Sequence, residues 1–410
     1  MGNNQKRNYA KLLVQSGLNV RKGQNVVIEV DVENDAFARQ VVAEAYAIGA
    51  KQVVVRYTDA HADLLRLKNQ SVDEIRSVEH WERESIDTYL REDGCHLLLT
   101  SSYIGLFDEI ESNKLSAYQL RVNELRNVVR HRMGSNGIQF CIAPVPNALW
   151  AKSVFGHLNE KEALREFWKT LFKLCYMTKD EDPIKTWNDH QAHILVQRNK
   201  LNNLKIRQLR FRNSLGTDLS VELNERAKWN GGCDITQGKK SNSANIPTEE
   251  VFTSPDRLKV NGKVVASRPL YIAGSVIENF SLTFSEGKVT KVEAGKNKKL
   301  LEELIASDEG SCYLGEVALV EHSSNISQSG LLFYNTLLDE NAACHLALGK
   351  GFAGAIEGAK ATPDETWTKA NLNVSSIHVD FMFGTPDLEI IALTSEGKTI
   401  QLFTNGNFTN

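Results

Sequence analysis

Histidine and acidic residues gather around apolar runs in the second half of the chain. In Ser376-Ile-His378-Val-Asp380-Phe-Met-Phe-Gly384 an imidazole and a carboxylate stand two residues apart. Alternate residues of a strand share a face, so His378 and Asp380 project together while Ile377, Val379 and Phe381 pack behind them. A face-sharing imidazole and carboxylate suits a transition metal. For this segment alone, a hydrogen-bonded His–Asp pair at a strand end is the slightly better reading.

Three further segments change the weighting. Tyr313-Leu-Gly-Glu316-Val-Ala-Leu-Val320 reads as an apolar strand with one acid. A lone carboxylate there is expensive to bury unless paired or metal-bound. Asn245-Ile-Pro-Thr-Glu249-Glu250-Val-Phe-Thr-Ser-Pro-Asp-Arg257 sets two acids before another short apolar strand. Asp339-Glu340-Asn341-Ala-Ala-Cys-His345 predicts an acid at a helix start and His345 about one turn inside that helix. Each alone reads as solvated acids, a cap or a core histidine. Four in one region are less easily dismissed.

Other chemistries are excluded by motif. Gly349-Lys-Gly351-Phe-Ala-Gly354 matches GxGxxG. A dinucleotide site needs that turn to follow a strand and open a helix. Here Asn341 to Leu348 reads as a helix, so the glycines read as its C-cap and a loop, and a nicotinamide enzyme is not expected. The chain carries no GxxxxGK[ST], GxSxG or HExxH. His61, His80, His96, His131 and His157 sit beside charged neighbours and read as ordinary surface or core histidines.

The elements that must position these groups fall into two textures. Arg7 to Ser16 predicts a short helix, followed by strand Asn25–Val30, helix Asp35–Ile48 and strands near 51–57, 96–100 and 138–143. Strand–helix alternation with short apolar strands implies a parallel sheet covered on both faces. Helices dominate from Asn147 to about Asn203. From Lys205 onward, Gly-punctuated strands take over, with Asn261-Gly262 and Glu286-Gly287 as turn signals. The expected fold is an α/β N-terminal domain with a parallel sheet, residues 1–190, plus a β-rich α+β C-terminal metal-binding domain, residues 191–410.

Composition agrees with such a protein. The chain has 410 residues, 48 basic against 51 acidic, and a formal charge of −3. At ~150 residues per domain that length suggests two or three domains. The charge argues against sequence-independent nucleic-acid binding, and no stretch reaches the ~18 apolar residues of a membrane span. The N-terminus lacks an apolar signal region, and the six cysteines show no CxxC spacing. A cytoplasmic location with reduced thiols is expected.

The segments NIPTEEVFTSPDR, LGEVALV, FYNTLLDENAACHLALG and SSIHVDFMFG resemble the signature blocks of the thermophilic-type metalloaminopeptidases, the aminopeptidase T and aminopeptidase S family. The opening YAKLLVQSGLNVRKGQNVVIEV is similar as well, and the resemblance covers the whole chain. It implies two divalent cations per chain held by Glu250, Glu316, His345, His378 and Asp380. Glu250, the second acid of the Thr-Glu-Glu run, matches the family's metal-binding glutamate. Glu340 is implied as a sixth ligand or a proton-transfer group. The resemblance also implies a homodimer whose active sites open into an enclosed space. One position departs from the family pattern: Phe352 stands where a tyrosine is usual, and phenylalanine cannot donate to an oxyanion.

The activity so implied is release of N-terminal amino acids from peptide substrates. Two cations ~3.5–4 Å apart can share a water, polarise the scissile carbonyl and make hydroxide available at neutral pH. Mixed imidazole and carboxylate ligands suit Zn, Co or Mn better than Ca. The free α-amino group needs either a metal or an acid such as Glu249 or Glu340. Two alternatives stay open: another dinuclear metallohydrolase (a phosphoesterase or amidohydrolase), with Arg257 the nearest basic group for a phosphate, or a catalytically decayed metal-binding homologue.

Overall fold

The computed structural model describes residues 3–90, 94–134, 138–178, 181–235, 241–272, 275–360 and 363–409. The chain divides into two units, 1–191 with 233–247, and 192–232 with 248–410.

The first unit is built on a four-stranded parallel sheet. Its strands are β1 (Asn25–Asp31), β2 (Gln52–Thr58), β3 (Cys95–Thr100) and β4 (Gln139–Pro144), in the order β2-β1-β3-β4. Almost all of β1 is buried, as a central parallel strand flanked by helices requires. Helices Asp35–Ala47 and Glu160–Leu174 supply Phe37, Val41, Trp168 and Leu171 to the core beside Val26 and Ile28. The first helix, Asn3–Leu12, continues as a π-helical turn, Leu13–Gly17. Residues 233–247 return to this unit, which a single cut at residue 190 does not anticipate. Ile142 N donates to Ala244 O (2.8 Å), Ile246 N donates to Ile142 O (3.0 Å), and Ile246 is buried in the core.

The second unit holds an antiparallel eight-stranded sheet in the order 288–293, 281–285, 255–265, 218–223, 206–212, 389–394, 399–404, 407–408. Glu286 and Gly287 both have positive φ and make the expected tight hairpin. Asn261-Gly262 does not turn. It lies inside the strand Pro255–Val265, paired on both sides, where a Cβ on Gly262 would lie 2.2 Å from Asp218 O. The glycine marks a close backbone approach.

Against this sheet's core packs a second, four-stranded antiparallel sheet: β5 (Val251–Thr253), β6 (Leu314–Leu319), β7 (His345–Gly349) and β8 (His378–Met382), in the order β8-β7-β6-β5. His345 therefore opens a strand, and the expected helix around it is wrong. The helical signal of Asn341-Ala-Ala ends in a single 3₁₀ turn, Glu340–Ala342. His345-Leu-Ala-Leu-Gly349 is buried at every residue between two partner strands. A short apolar run buried on both faces cannot be told from a helix by periodicity. The GxGxxG match consequently follows a strand, but only a 3₁₀ turn, Ala353–Ala355, comes after it, so no helix meets a phosphate there.

Among the described residues, no helix is long and apolar enough to cross a membrane. No disulfide joins any of the six cysteines, all of which lie among the described residues.

Candidate metal centre

Register decides which side chains face the centre. Glu316, Ala347 and Asp380 are directly opposite one another across β6, β7 and β8, as are Phe252, Ala318, His345 and Met382 across all four strands. Gly349 faces His378. One face of the sheet thus collects every ligand type, and alanine or glycine between them leaves room for the longer side chains. The other face carries Val251, Val317, Leu319, Leu346, Leu348 and Phe381 into the core. Alternation holds the polar set against a rigid apolar backing.

The polar atoms converge in two overlapping groups. Glu250, Glu316 and His345 form one, and Glu316, His378 and Asp380 the other, with ligand atoms in each within 4.8 Å. His345 Nε2 lies 3.1 Å from Glu250 Oε2. His378 Nε2 lies 3.0 Å from Glu316 Oε2 and 3.4 Å from Asp380 Oδ1. Each histidine turns its other nitrogen to a backbone carbonyl: His378 Nδ1 donates to Lys350 O (2.7 Å) and His345 Nδ1 to Ala343 O (3.2 Å). A carbonyl can only accept, so Nδ1 carries hydrogen and Nε2 is aimed at the carboxylates, the orientation of a metal-ligating imidazole.

The electrostatics reflect crowding of like charges. Burial pushes Glu316 up to about 7, against the opposing pull of His378. Burial, then the Asp380 and Glu250 carboxylates, hold Glu340 well above the usual carboxylate range. Burial would lower His345, but its hydrogen bond to Glu250 and the surrounding carboxylates raise it to about 10. Burial would likewise lower His378, and Asp380 and Glu316 raise it well above 6.5. Burial works to raise Asp380, yet the His378 charge beside it holds it below its ordinary value. Protons on the two histidines thus balance part of the carboxylate charge in this cluster.

Divalent metal binding fits this donor set of carboxylates and imidazoles. Among the described residues, each ion pair of Glu250, Glu316 and Asp380 is to a histidine, with no lysine or arginine among them. Asp380 Oδ1 is buried with the 3.4 Å ion pair to His378 but no hydrogen bond among the described residues, as expected of an oxygen meant for a cation. Glu249 is only half-buried and belongs to neither ligand group; its backbone N–H donates to Asn341 Oδ1 (2.7 Å). Glu340 faces the ligand carboxylates without joining either group.

The chain matches the family model for thermophilic metalloprotease (M29) over residues 3–408. It belongs to that family. It is similar to aminopeptidase AmpS of Bacillus subtilis (strain 168), 36% identical over 98% of this chain and 97% of that one. Aminopeptidase T of Thermus thermophilus is 33% identical over 97% of each. The solved structure of wild-type AmpT from Thermus thermophilus superposes with a TM-score of 0.93, at 31% identity, over 99% of both chains. The α/β first region and the β-rich second region are thus a shared M29 fold. The five ligands implied by resemblance are the five that converge here.

Three supporting residues were not legible as such. Asn341, fully buried, donates to Leu337 O (2.9 Å) while accepting from Glu249 N, and so fixes the backbone leading into Glu250. Asn373, also fully buried, donates to Gly349 O (2.6 Å) and Gly310 O (2.8 Å), joining the end of β7 to the segment before β8. Asp308 accepts from Ser376 N (2.7 Å) and from the Ser375 and Ser311 hydroxyls (2.8 Å each). The loop that delivers His378 is held from both sides.

Proposed function

We propose that this metal-dependent aminopeptidase releases the N-terminal residue of peptides at a centre of two divalent cations held by Glu250, Glu316, His345, His378 and Asp380. The observation that carries this reading is Glu316, whose carboxylate belongs to both ligand groups. When bound, the cations supply Lewis acidity, polarising the scissile carbonyl and lowering the pKa of a bound water from about 15.7 toward ~7. Zn, Co or Mn suits the mixed imidazole and carboxylate donors.

The chain's own residues divide the remaining work. Glu250, Glu316 and Asp380 bring three negative charges against four positive, which leaves net positive charge to attract a carbonyl oxygen. The carbonyls of Lys350 and Ala343 lock the two imidazoles so that Nε2 stays directed inward. Glu340, kept protonatable by burial and by the facing carboxylates, is the group we assign to carry a proton from the attacking water to the leaving amine. Glu249, at the edge of the cluster, is assigned to the substrate ammonium. Phe352 has no hydroxyl to share in either task.

The phosphoesterase alternative loses its nominated clamp. Arg257 lies over the Tyr313 ring (5.3 Å) and reaches Asn373 Oδ1 (3.4 Å). A cytoplasmic homodimer completes the proposal, and sedimentation at micromolar concentration tests the dimer. The activity is tested by hydrolysis of aminoacyl-arylamides and short peptides after chelation and return of single metals. Hydrolysis from the free amino end that disappears with the metal supports the reading; none with any metal overturns it.

A further inference from the structure

An apolar surface borders the ligand cluster and has no part in holding it. Phe352 is 40% exposed beside the buried charges of the cluster. Its ring centroid lies 4.8 Å from that of His378, at 60°, and 5.5 Å from that of Phe252, at 64°. Phe252 is half-buried on β5, two residues after Glu250 and opposite Ala318, hence on the ligand-bearing face of the sheet. The two rings form one aromatic shelf that ends against a metal-binding imidazole.

The shelf is held in place. Phe352 N donates to Ser254 Oγ (2.9 Å), and Gly351 N donates to Asn373 O (2.9 Å). A Cβ on Gly351 would lie 2.4 Å from Leu372, so the loop is packed closely behind the ring. Such preorganisation costs a ligand little to use.

We propose that Phe252 and Phe352 form the subsite for the side chain of the residue being released, and that they select aromatic and large aliphatic N-terminal residues over small or charged ones. This rests on the aminopeptidase reading. A scissile carbonyl beside His378 puts the α-carbon of the first residue, and therefore its side chain, next to the shelf. An aromatic side chain adds a third ring in the edge-to-face or offset geometry that aromatic pairs prefer, with centroids about 4.5–7 Å apart. A charged side chain would lose hydration against two phenyl rings.

The test compares kcat/KM for Phe-, Leu-, Ala- and Lys-arylamides in the metal-loaded wild type, Phe352→Ala, Phe252→Ala and Phe352→Tyr, with metal content measured for each. The wild type should favour the Phe over the Ala substrate by at least about 10-fold, the discrimination available to an apolar pocket. That ratio should fall by about 10-fold in each alanine variant with both metals retained, and survive in Phe352→Tyr, where the ring remains. A wild-type ratio of one or less, or a ratio unmoved in both alanine variants, overturns the shelf and leaves the aminopeptidase reading standing. Failure to hydrolyse any arylamide overturns the aminopeptidase reading instead. Calorimetry of L-phenylalanine against L-alanine on the metal-loaded chain then judges the shelf separately: tighter binding of phenylalanine supports it, and equal affinity overturns it.

Discussion

Both units bury a glutamate beside a histidine on neighbouring strands, with opposite outcomes. In the first unit, Glu29 on β1 is 8% exposed and His96 on β3 is 5% exposed. Glu29 meets the Arg126 guanidinium at 3.1 Å and that of Arg56, its cross-strand neighbour on β2, at 4.0 Å. Burial, opposed by Glu29 but reinforced by the two arginines, drives His96 down to about 4, so it stays neutral. In the second unit, among the described residues, Glu250, Glu316 and Asp380 pair with His345 and His378, and those histidines are pushed up instead. Burial of His and Glu together does not make a metal centre. What distinguishes the second cluster is that, among the described residues, its carboxylates pair with histidine and not with arginine or lysine.

Variants that remove a ligand should widen this contrast most. Glu316→Ala leaves both groups one donor short, so both cations and more than about 100-fold of kcat should be lost. His378→Ala and Asp380→Ala should each abolish activity with the fold intact by circular dichroism. Supporting partners of a metal site cost only ~10–100-fold, so a loss no larger than that would move these residues out of the ligand set.

A smaller effect separates the adjacent acids. Glu250→Ala should lose bound metal as well as kcat, whereas Glu249→Ala should keep its metal and at most raise KM. Metal loss in the Glu249 variant would contradict the assignment of the two faces. Next comes Asn373→Ala, which frees the carbonyls at the end of β7 and should weaken metal affinity by about 10–100-fold in a competition titration with a chromogenic chelator. Affinity equal to wild type would show that the strand ends hold their register without it.

The smallest effect on catalysis belongs to the first unit. Glu29→Gln removes the charge that Arg126 and Arg56 share, and should lower stability by about 1–3 kcal/mol in urea titration. Metal content and kcat should not change. A drop in either would break the distinction between a structural and a catalytic cluster.

Much of this was legible in the sequence where local alternation carries the information. His378 and Asp380 were visible because i and i+2 share a strand face, and Glu316 because one acid interrupted an apolar run. His345 was implied as a candidate ligand by its sequence block but misplaced on a helix, since a fully buried five-residue strand has no periodicity to read. Asn373 gave no signal, because its work is done across 63 residues, on the carbonyl of Gly310. Asn341 stood inside a recognised block, yet its bond to Glu249 spans 92 residues. Gly262 imitated a hairpin turn because glycine serves close strand contact as readily as turning. The return of 233–247 to the first unit, likewise, depends on pairing with β4 that no local pattern announces.

Glu316 is proposed to join two cation sites, both needed for turnover. The direct measurement is titration of fully chelated protein with Zn, Co or Mn, following bound metal and arylamide hydrolysis in the same samples. Saturation at two cations per chain, with full activity only as the second is bound and no such uptake in Glu316→Ala, is the expected result. Full activity in protein that holds no metal, or undiminished uptake and turnover in Glu316→Ala, would contradict it.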